Sequence, residues 1–590
     1  MAEPIQVDFS GRGDNGRKKE VKRISVIPPE RAGLRILLSA IGAVITALVA
    51  FYVMLPPLNF KAQEFYLYLG ICIGSFVALL FLLCGASSKP EYVPFVRKTA
   101  RIPIALIVVI ALFFGAAWAI SSPFFQARRY HELMPVQTDA SFDHYLAEAD
   151  FSAIPRLDAD AAMIVADRAL GDLADYVSQF TISDSNTQIN YQNKPVRVVP
   201  LAYADLIKWF VNTREGLPGY IIVDMANEVS KFVKLEHRIR YSDEEHFGKL
   251  LKRHLRFEYP TYLFSAMNFE IDDDGNPYWV VPRMDKTIGL LGGEDVIGII
   301  LVDAVTGECV EYNMEQVRTL TELQWIDRVF TADLLTAQFN FFGKYVHGFW
   351  NSLLGQKDVR AATEGYAYIA KDDDVFKYTG VSSVTADQSI IGFTIINQRT
   401  KEAHFYRVNG ATESSAETTA KGLVQAQGWT TTFPLLINVS GQPTYFLSLK
   451  DNSGVLQGYS MINVKDYNKI KVWAETVAAC KELYLAAITA EGIQSPDEQP
   501  DTSEQPDDQP ALDQEQVAKG AISDIRTAVI NGNTTYYIQL EGGVDYYVLT
   551  AALHPNVVLL SRGDAVAITF APMKESNILR ASKIEWPLER

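Results

Sequence analysis

Three long apolar runs near the N-terminus constrain this chain more than any other feature. Leu34–Leu55, Phe65–Cys84 and Ile102–Ile120 each span about 19 to 22 residues, enough to cross a ~30 Å hydrocarbon core at about 1.5 Å per residue. None carries the polar stripe that a buried soluble helix shows. The first run starts late and lacks a small-residue cleavage site, so it reads as an anchor and not a cleavable signal peptide. The expected anchor is therefore three transmembrane helices over 34–120, behind a basic tail at 1–33.

Lys and Arg placement orients these helices. The tail carries Arg12, Arg17, Lys18, Lys19, Lys22, Arg23 and Arg31, and the second loop carries Lys89, Arg97, Lys98 and Arg101. The first loop has only Lys61, offset by Glu64. Basic segments stay cytoplasmic, so the N-terminus is expected inside and, after three crossings, the C-terminal bulk outside. Arg128 and Arg129 oppose this but are outnumbered. Gly70 and Gly74 in the second helix have the GxxxG spacing of close helix contact, serving either packing within the bundle or self-association.

The remainder is acidic: the 590-residue chain has a formal net charge of -16. An acidic ectodomain does not suit phosphate backbones, so no nucleic acid is expected as a partner. Four cysteines with no CxxC pair exclude a zinc ribbon. Cys309 and Cys480 are either two buried thiols or a disulfide.

Periodicity and turn residues divide the rest of the chain. A stalk is expected at 121–155 and an α+β module at 156–330, opened by a helix that Asp158 can cap. An amphipathic aromatic helix comes next at 331–359, then a second α+β module at 360–490. The two modules share a short echo: Gly275-Asn-Pro277-Tyr278 with Asp285, and Gly441-Gln-Pro443-Thr444 with Asp451. Residues 491–518 form an acidic Pro/Gln linker that cannot bury a core. Residues 519–590 read as a small all-β barrel of OB-like type, with Asn531-Gly532 as a hairpin signal.

Candidate chemistry is sparse. Asp272, Asp274 and Asn276 imitate the start of a calcium loop, but Pro277 and Arg283 stand where Gly and Glu are needed, which favours a polar hairpin turn. His237, His246 and His254 have no motif around them. There is no nucleophile elbow, Ser-x-x-Lys pair or phosphate loop. No catalytic, cofactor-binding or metal-binding residue is assigned, and no cofactor is expected. Phe342, Tyr345, Phe349 and Trp350 on the aromatic helix are either core or a partner-docking face.

The run Ile299-Ile-Leu-Val-Asp303-Ala-Val-Thr306-Gly307-Glu308 resembles the closing hairpin of PepSY domains, and Ile395-Ile-Asn397-Gln-Arg-Thr400-Lys401-Glu402 is a weaker echo of it. The resemblance covers about 60 residues. It implies PepSY-like α+β modules and a role restraining or assisting peptidases or cell-wall hydrolases. The expectation is a multi-pass bacterial membrane protein, not an enzyme, whose ectodomain binds envelope proteins or itself as a scaffold or assembly factor. The alternatives are a PepSY-type modulator and an enzyme or transport component of unrecognised type. A binding role predicts an extended contact face without a deep polar pocket; an enzyme predicts a concave site with convergent Asp, Glu or His. A cysteine at position 450 is expected to react with a membrane-impermeant maleimide in intact cells; protection there would reverse the orientation.

Overall fold

Apolar side chains on every face leave a helix nowhere to hide in water, and this decides the character of the first 120 residues. In a computed structural model of the chain, residues 26–138, 148–151, 154–371, 373–383, 389–492, 516–530, 533–550, 555–570 and 578–586 are described. The basic tail up to Arg23, Asp372, the Asn531-Gly532 turn and nearly all of the linker lie outside them.

The chain forms two compact units, one of residues 1–120 with 255–262, the other of 121–254 with 263–590. In the first unit, Ala32–Met54, Gln63–Leu83 and Arg101–Ile120 are helices long and apolar enough to cross a membrane. Almost all their side chains face outward, as lipid-facing side chains do. The first two helices approach at Gly42, where a Cβ would lie 2.7 Å from Leu79 Cδ1. Gly70 and Gly74 have no neighbour within 4 Å of a Cβ, so neither packs this bundle among the described residues. The loop after the first helix is stapled to a distant segment. Arg256 donates from Nε to the Leu55 carbonyl at 3.1 Å, and Phe257 packs on Phe51 at 5.6 Å. Burial holds the Arg256 pKa down to about 10.

The second unit contains four antiparallel sheets built to one plan. The first holds Phe180–Ile182, Thr187–Tyr191, Lys194–Tyr203, Leu217–Asp224 and Val229–Ile239. The second holds Leu263–Phe264, Asn268–Ile271, Pro277–Ile288, Gly292–Asp303 and Cys309–Asn313. The third holds Arg360–Ala362, Ala367–Lys371, Asp374–Ser383, Gly392–Asn397 and Ala403–Tyr406, with Val136–Gln137 added in parallel at its edge. The fourth holds Thr430–Thr431, Leu435–Val439, Gln442–Lys450, Leu456–Asn463 and Lys471–Ala474. In every sheet the long third strand pairs with the two short strands before it and with the fourth, which pairs with the fifth. A helix precedes each: Ala159–Gly171, Leu251–Glu258, Ala332–Lys344 and Glu413–Leu423. Each α+β region read from the sequence thus contains two such sheets, and the Gly275 and Gly441 echoes both fall between the second and third strands, in a five-residue link in the second sheet and a two-residue link in the fourth.

One polar device closes the fourth strand of all four sheets. Asp224, Asp303, Asn397 and Asn463 each turn Oδ1 onto the two amides two and three residues on, at 2.7 to 3.0 Å. In the first three sheets the fifth turn residue then takes a positive φ: Glu228, Gly307 and Lys401. An Asx turn of this kind satisfies backbone donors that the strand ladder has released.

The aromatic helix is shorter than expected, and the last helix is bounded by a strand. The aromatic helix ends at Lys344, where Tyr345 leaves helical geometry at φ -102° and ψ 21°, and the chain passes through Gly348 at φ 83° into a short turn over Gly348–Trp350. The last helix starts at Val477, capped by Thr476, since Lys471–Ala474 pairs as a strand with Tyr459–Ile462. Beyond the linker, Gln516–Ile530, Asn533–Leu540, Tyr546–Thr550, Ala565–Phe570 and Ile578–Glu585 pair in a closed order. A register shift at Ile522/Asp524 lets the long first strand serve two neighbours.

Removing one turn acceptor should release two amides. Asp303→Ala and Asn463→Ala are each expected to cost about 1–2 kcal/mol in thermal unfolding of the detergent-solubilised protein, while Asp303→Asn, which keeps Oδ1, should stay near wild type.

Candidate functional site

Polar side chains gather where strands from all four sheets meet the segment before helix Ala159–Gly171. There the second unit opens a cleft of about 400 Å³. Its cationic groups are Arg156, Arg197 on the third strand of the first sheet, and Arg328 in the loop after the second sheet. Asn186, Gln188 and Asn268 add amides, and Tyr366, Tyr368, Phe433 and Phe446 form aromatic walls.

Each guanidinium is partly engaged. Arg197 donates from Nη1 to Asn186 Oδ1 and from Nη2 to Gln188 Oε1. Arg328 donates from Nη2 to the Tyr368 hydroxyl at 2.7 Å, its guanidinium carbon 4.2 Å from that ring's centroid. Arg156 lies 3.9 Å from Glu228 and over the Tyr459 ring. Yet Arg156 Nε, Arg197 Nε and Arg328 Nη1 are all buried without a hydrogen-bond partner among the described residues. The lining carboxylate, Asp158, caps helix Ala159–Gly171 through Ala161 N and receives Lys450 Nζ. Arg197 is 8% exposed. Burial, reinforced by the charge of Arg328, brings its pKa down to about 10, so it stays charged at neutral pH. Tyr366 moves the other way, lifted to about 12 by burial and by Tyr368, and remains a neutral phenol.

A buried carboxyl pair holds Arg328 in place. Glu270 on the second sheet accepts from Asp327 N at 2.8 Å and Arg328 N at 3.0 Å. Asp327 in turn accepts from Asn190 N on the first sheet at 2.6 Å, and Asn268 Nδ2 donates to the Arg328 carbonyl. Burial raises both carboxyls: Glu270 to about 7, and Asp327 well above its usual value with Glu270 adding to the rise. Protonation of either acid relieves the repulsion between like charges.

The residues singled out from sequence fall elsewhere. Tyr345 is buried beside Tyr130, and Phe342 stacks on His131 at 4.8 Å. Phe349 packs on Phe124, leaving Trp350 exposed. The more exposed apolar face is one that sequence reading passed over, Leu206, Ile207, Phe210 and Val211 on helix Leu206–Asn212. That helix is pinned from behind by Trp209 Nε1 donating to buried Glu245 at 2.8 Å. Its apolar residues at i, i+1, i+4 and i+5 were the available signal.

Cys309 and Cys480 are both free thiols. Cys309 lies 3.6 Å from His254 Nε2, while burial lifts Cys480 to about 12. Asp272 Oδ1 is taken by Asp274 N and Asn276 N, the polar turn expected over the calcium loop. The described residues form a concave polar cleft, whereas a binding role is expected to come without a deep polar pocket. Arginines separated by 41 and 131 positions in the chain give no local motif, so only folding brings them together.

The carboxyl pair predicts a pH dependence. An acid whose pKa is raised on folding keeps its proton where the unfolded chain has released it. Its stabilising contribution is present below the unfolded value near 4.5 and is lost as pH rises through about 7. The thermal midpoint should fall over that window in wild type. Glu270→Gln should lose most of this slope, at the cost of one amide hydrogen bond; an unchanged slope would exclude the pair as its source. No protein family, curated protein or solved structure matches this chain.

Proposed function

We propose that this chain is a membrane-anchored binding protein of the bacterial cell envelope, with its sheets and C-terminal domain outside the cytoplasm and a scaffolding or assembly role without catalysis. The observation that carries this is the cleft itself. Its polar groups are guanidiniums, amides, phenols and hydroxyls, which hold and orient a ligand, and its one carboxylate, Asp158, is committed to Lys450 and to a helix cap. The exposed apolar face of helix Leu206–Asn212 supports the same reading, because such a face is commonly buried on association with another protein. The outward placement rests on the Lys and Arg bias of the tail and second loop.

The second reading, a PepSY-type modulator of envelope peptidases or wall hydrolases, is favoured by the Asp303 turn and its counterparts in the other three sheets. The closed pairing of five strands after the linker suits an OB-like module, here one that contacts protein or glycan. Gly70 and Gly74, open on the second helix, suit self-association in the bilayer.

Lys450 is committed to Asp158, so the neighbouring exposed Asn452 serves the topology test better. Asn452→Cys in an otherwise cysteine-free full-length chain should be labelled from outside intact cells; labelling only after permeabilisation would overturn the orientation. Cross-linking of full-length protein in membranes should recover envelope proteins or its own dimer. Phe210→Asp should reduce that recovery severalfold without altering the thermal midpoint.

A further inference from the structure

We infer that the cleft lined by Arg156, Arg197 and Arg328 is a binding site for a small oxyanion, a carboxylate or phosphate group carried on a flat apolar body. The inference rests on the binding-protein reading and names the ligand class of that site.

Charge points first to an anion. In a chain of net charge -16, Arg156, Arg197 and Arg328 converge on one cleft. The lining carboxylate, Asp158, is already engaged by Lys450 and by a helix cap. Glu228 offsets Arg156 at 3.9 Å, and like charges brought together in a partly desolvated site oppose folding unless something of opposite sign offsets the others too. Donor count points the same way. Each guanidinium keeps one buried N–H without a partner among the described residues, and Arg197 is 8% exposed. Buried donors in folded proteins are nearly always satisfied, so unpartnered donors on all three arginines of one cleft favour an acceptor beside them. A planar guanidinium edge matches the paired oxygens of carboxylate or phosphate.

The remaining lining limits the rest of the ligand. Tyr366, Phe433 and Phe446 offer ring surface, while the amides of Asn186 and Gln188 hold Arg197 in position. A volume of about 400 Å³ falls near the lower end of small-molecule pockets, too small for a folded partner. The rigid placement of Arg328, through Glu270 and Asp327, makes the donors ready before the ligand binds.

The test uses full-length protein in detergent micelles. Benzoate and phenyl phosphate are the two oxyanion probes, benzyl alcohol is the uncharged aryl control, and acetate and inorganic phosphate are the anions without a ring. Ligand that binds only the folded state raises the thermal midpoint by mass action. At least one aryl anion should raise it at millimolar concentration. Benzyl alcohol should not, and the ring-free anions should do so more weakly; which aryl anion binds more tightly distinguishes carboxylate from phosphate. Arg197→Gln should weaken binding by at least tenfold in calorimetry while leaving the ligand-free midpoint unchanged or higher, as relief of an uncompensated charge requires. Arg156→Gln, at a more exposed position, provides the same test should the first variant misfold. Equal shifts from benzyl alcohol and the aryl anions, no shift with either anion, or full affinity in both variants would each overturn the inference. Envelope-partner recovery undiminished in an anion-blind wild type would overturn this site alone. Anion binding with no partner ever recovered would support the site and overturn the scaffold reading.

Discussion

A single buried carboxyl group, Glu270, ties together much of what matters in the second unit. It takes the backbone amides of Asp327 and Arg328, and Asp327 takes an amide of the first sheet. The loop after the second sheet is thereby held against the first, and the Arg328 side chain is delivered to the cleft. Two acids in a dry site are tolerable because burial raises their affinity for protons, so the clamp carries less charge than its composition implies. Fold and site share this arrangement. Loosening it would free the sheets and misplace a cation together.

Around the clamp the four sheets repeat one solution to one problem. A long central strand flanked on both sides needs neighbours that return within a short loop. The acid or amide at the end of each fourth strand supplies that return by accepting two amides in the turn. The same chemistry appears as Asp224, Asp303, Asn397 and Asn463, although the residues after them differ. At Asn397 a lysine, Lys401, occupies the positive φ that Gly307 fills in the second sheet. Lys401 also reaches Asp295 at 2.6 Å, an ion pair between the second and third sheets that offsets part of that backbone strain.

Much of this is legible before folding. The Asp303 and Asn397 turns read as echoes of each other, and the Gly275 and Gly441 turns as a second pair. The other members escape because the local signal is one acceptor with residues of no common type after it. Asp224 leads into Glu228 and Asn463 into a longer connection, so neither carries a Thr-Gly signature. The aromatic helix is legible as amphipathic, but its end at Lys344 and the burial of Tyr345 depend on what packs against it. The cleft is not legible at all. Its arginines lie in three separate segments, each unremarkable beside its sequence neighbours.

The sequence by itself determined the features that depend on solvent and on nearby residues. Continuous apolar runs can be stable only in lipid, an acidic Pro-rich stretch cannot bury a core, and turn residues mark hairpins, because each is decided within a few residues of chain. Tertiary structure alone decided that four sheets share one strand order, that the packing glycine of the anchor is Gly42 while Gly70 and Gly74 stay open, and that three guanidiniums meet in one cleft. The physical reason is range. Pairing, close approach and the summed field of charges are set by distances through space, and the residues that make them here lie tens to hundreds of positions apart.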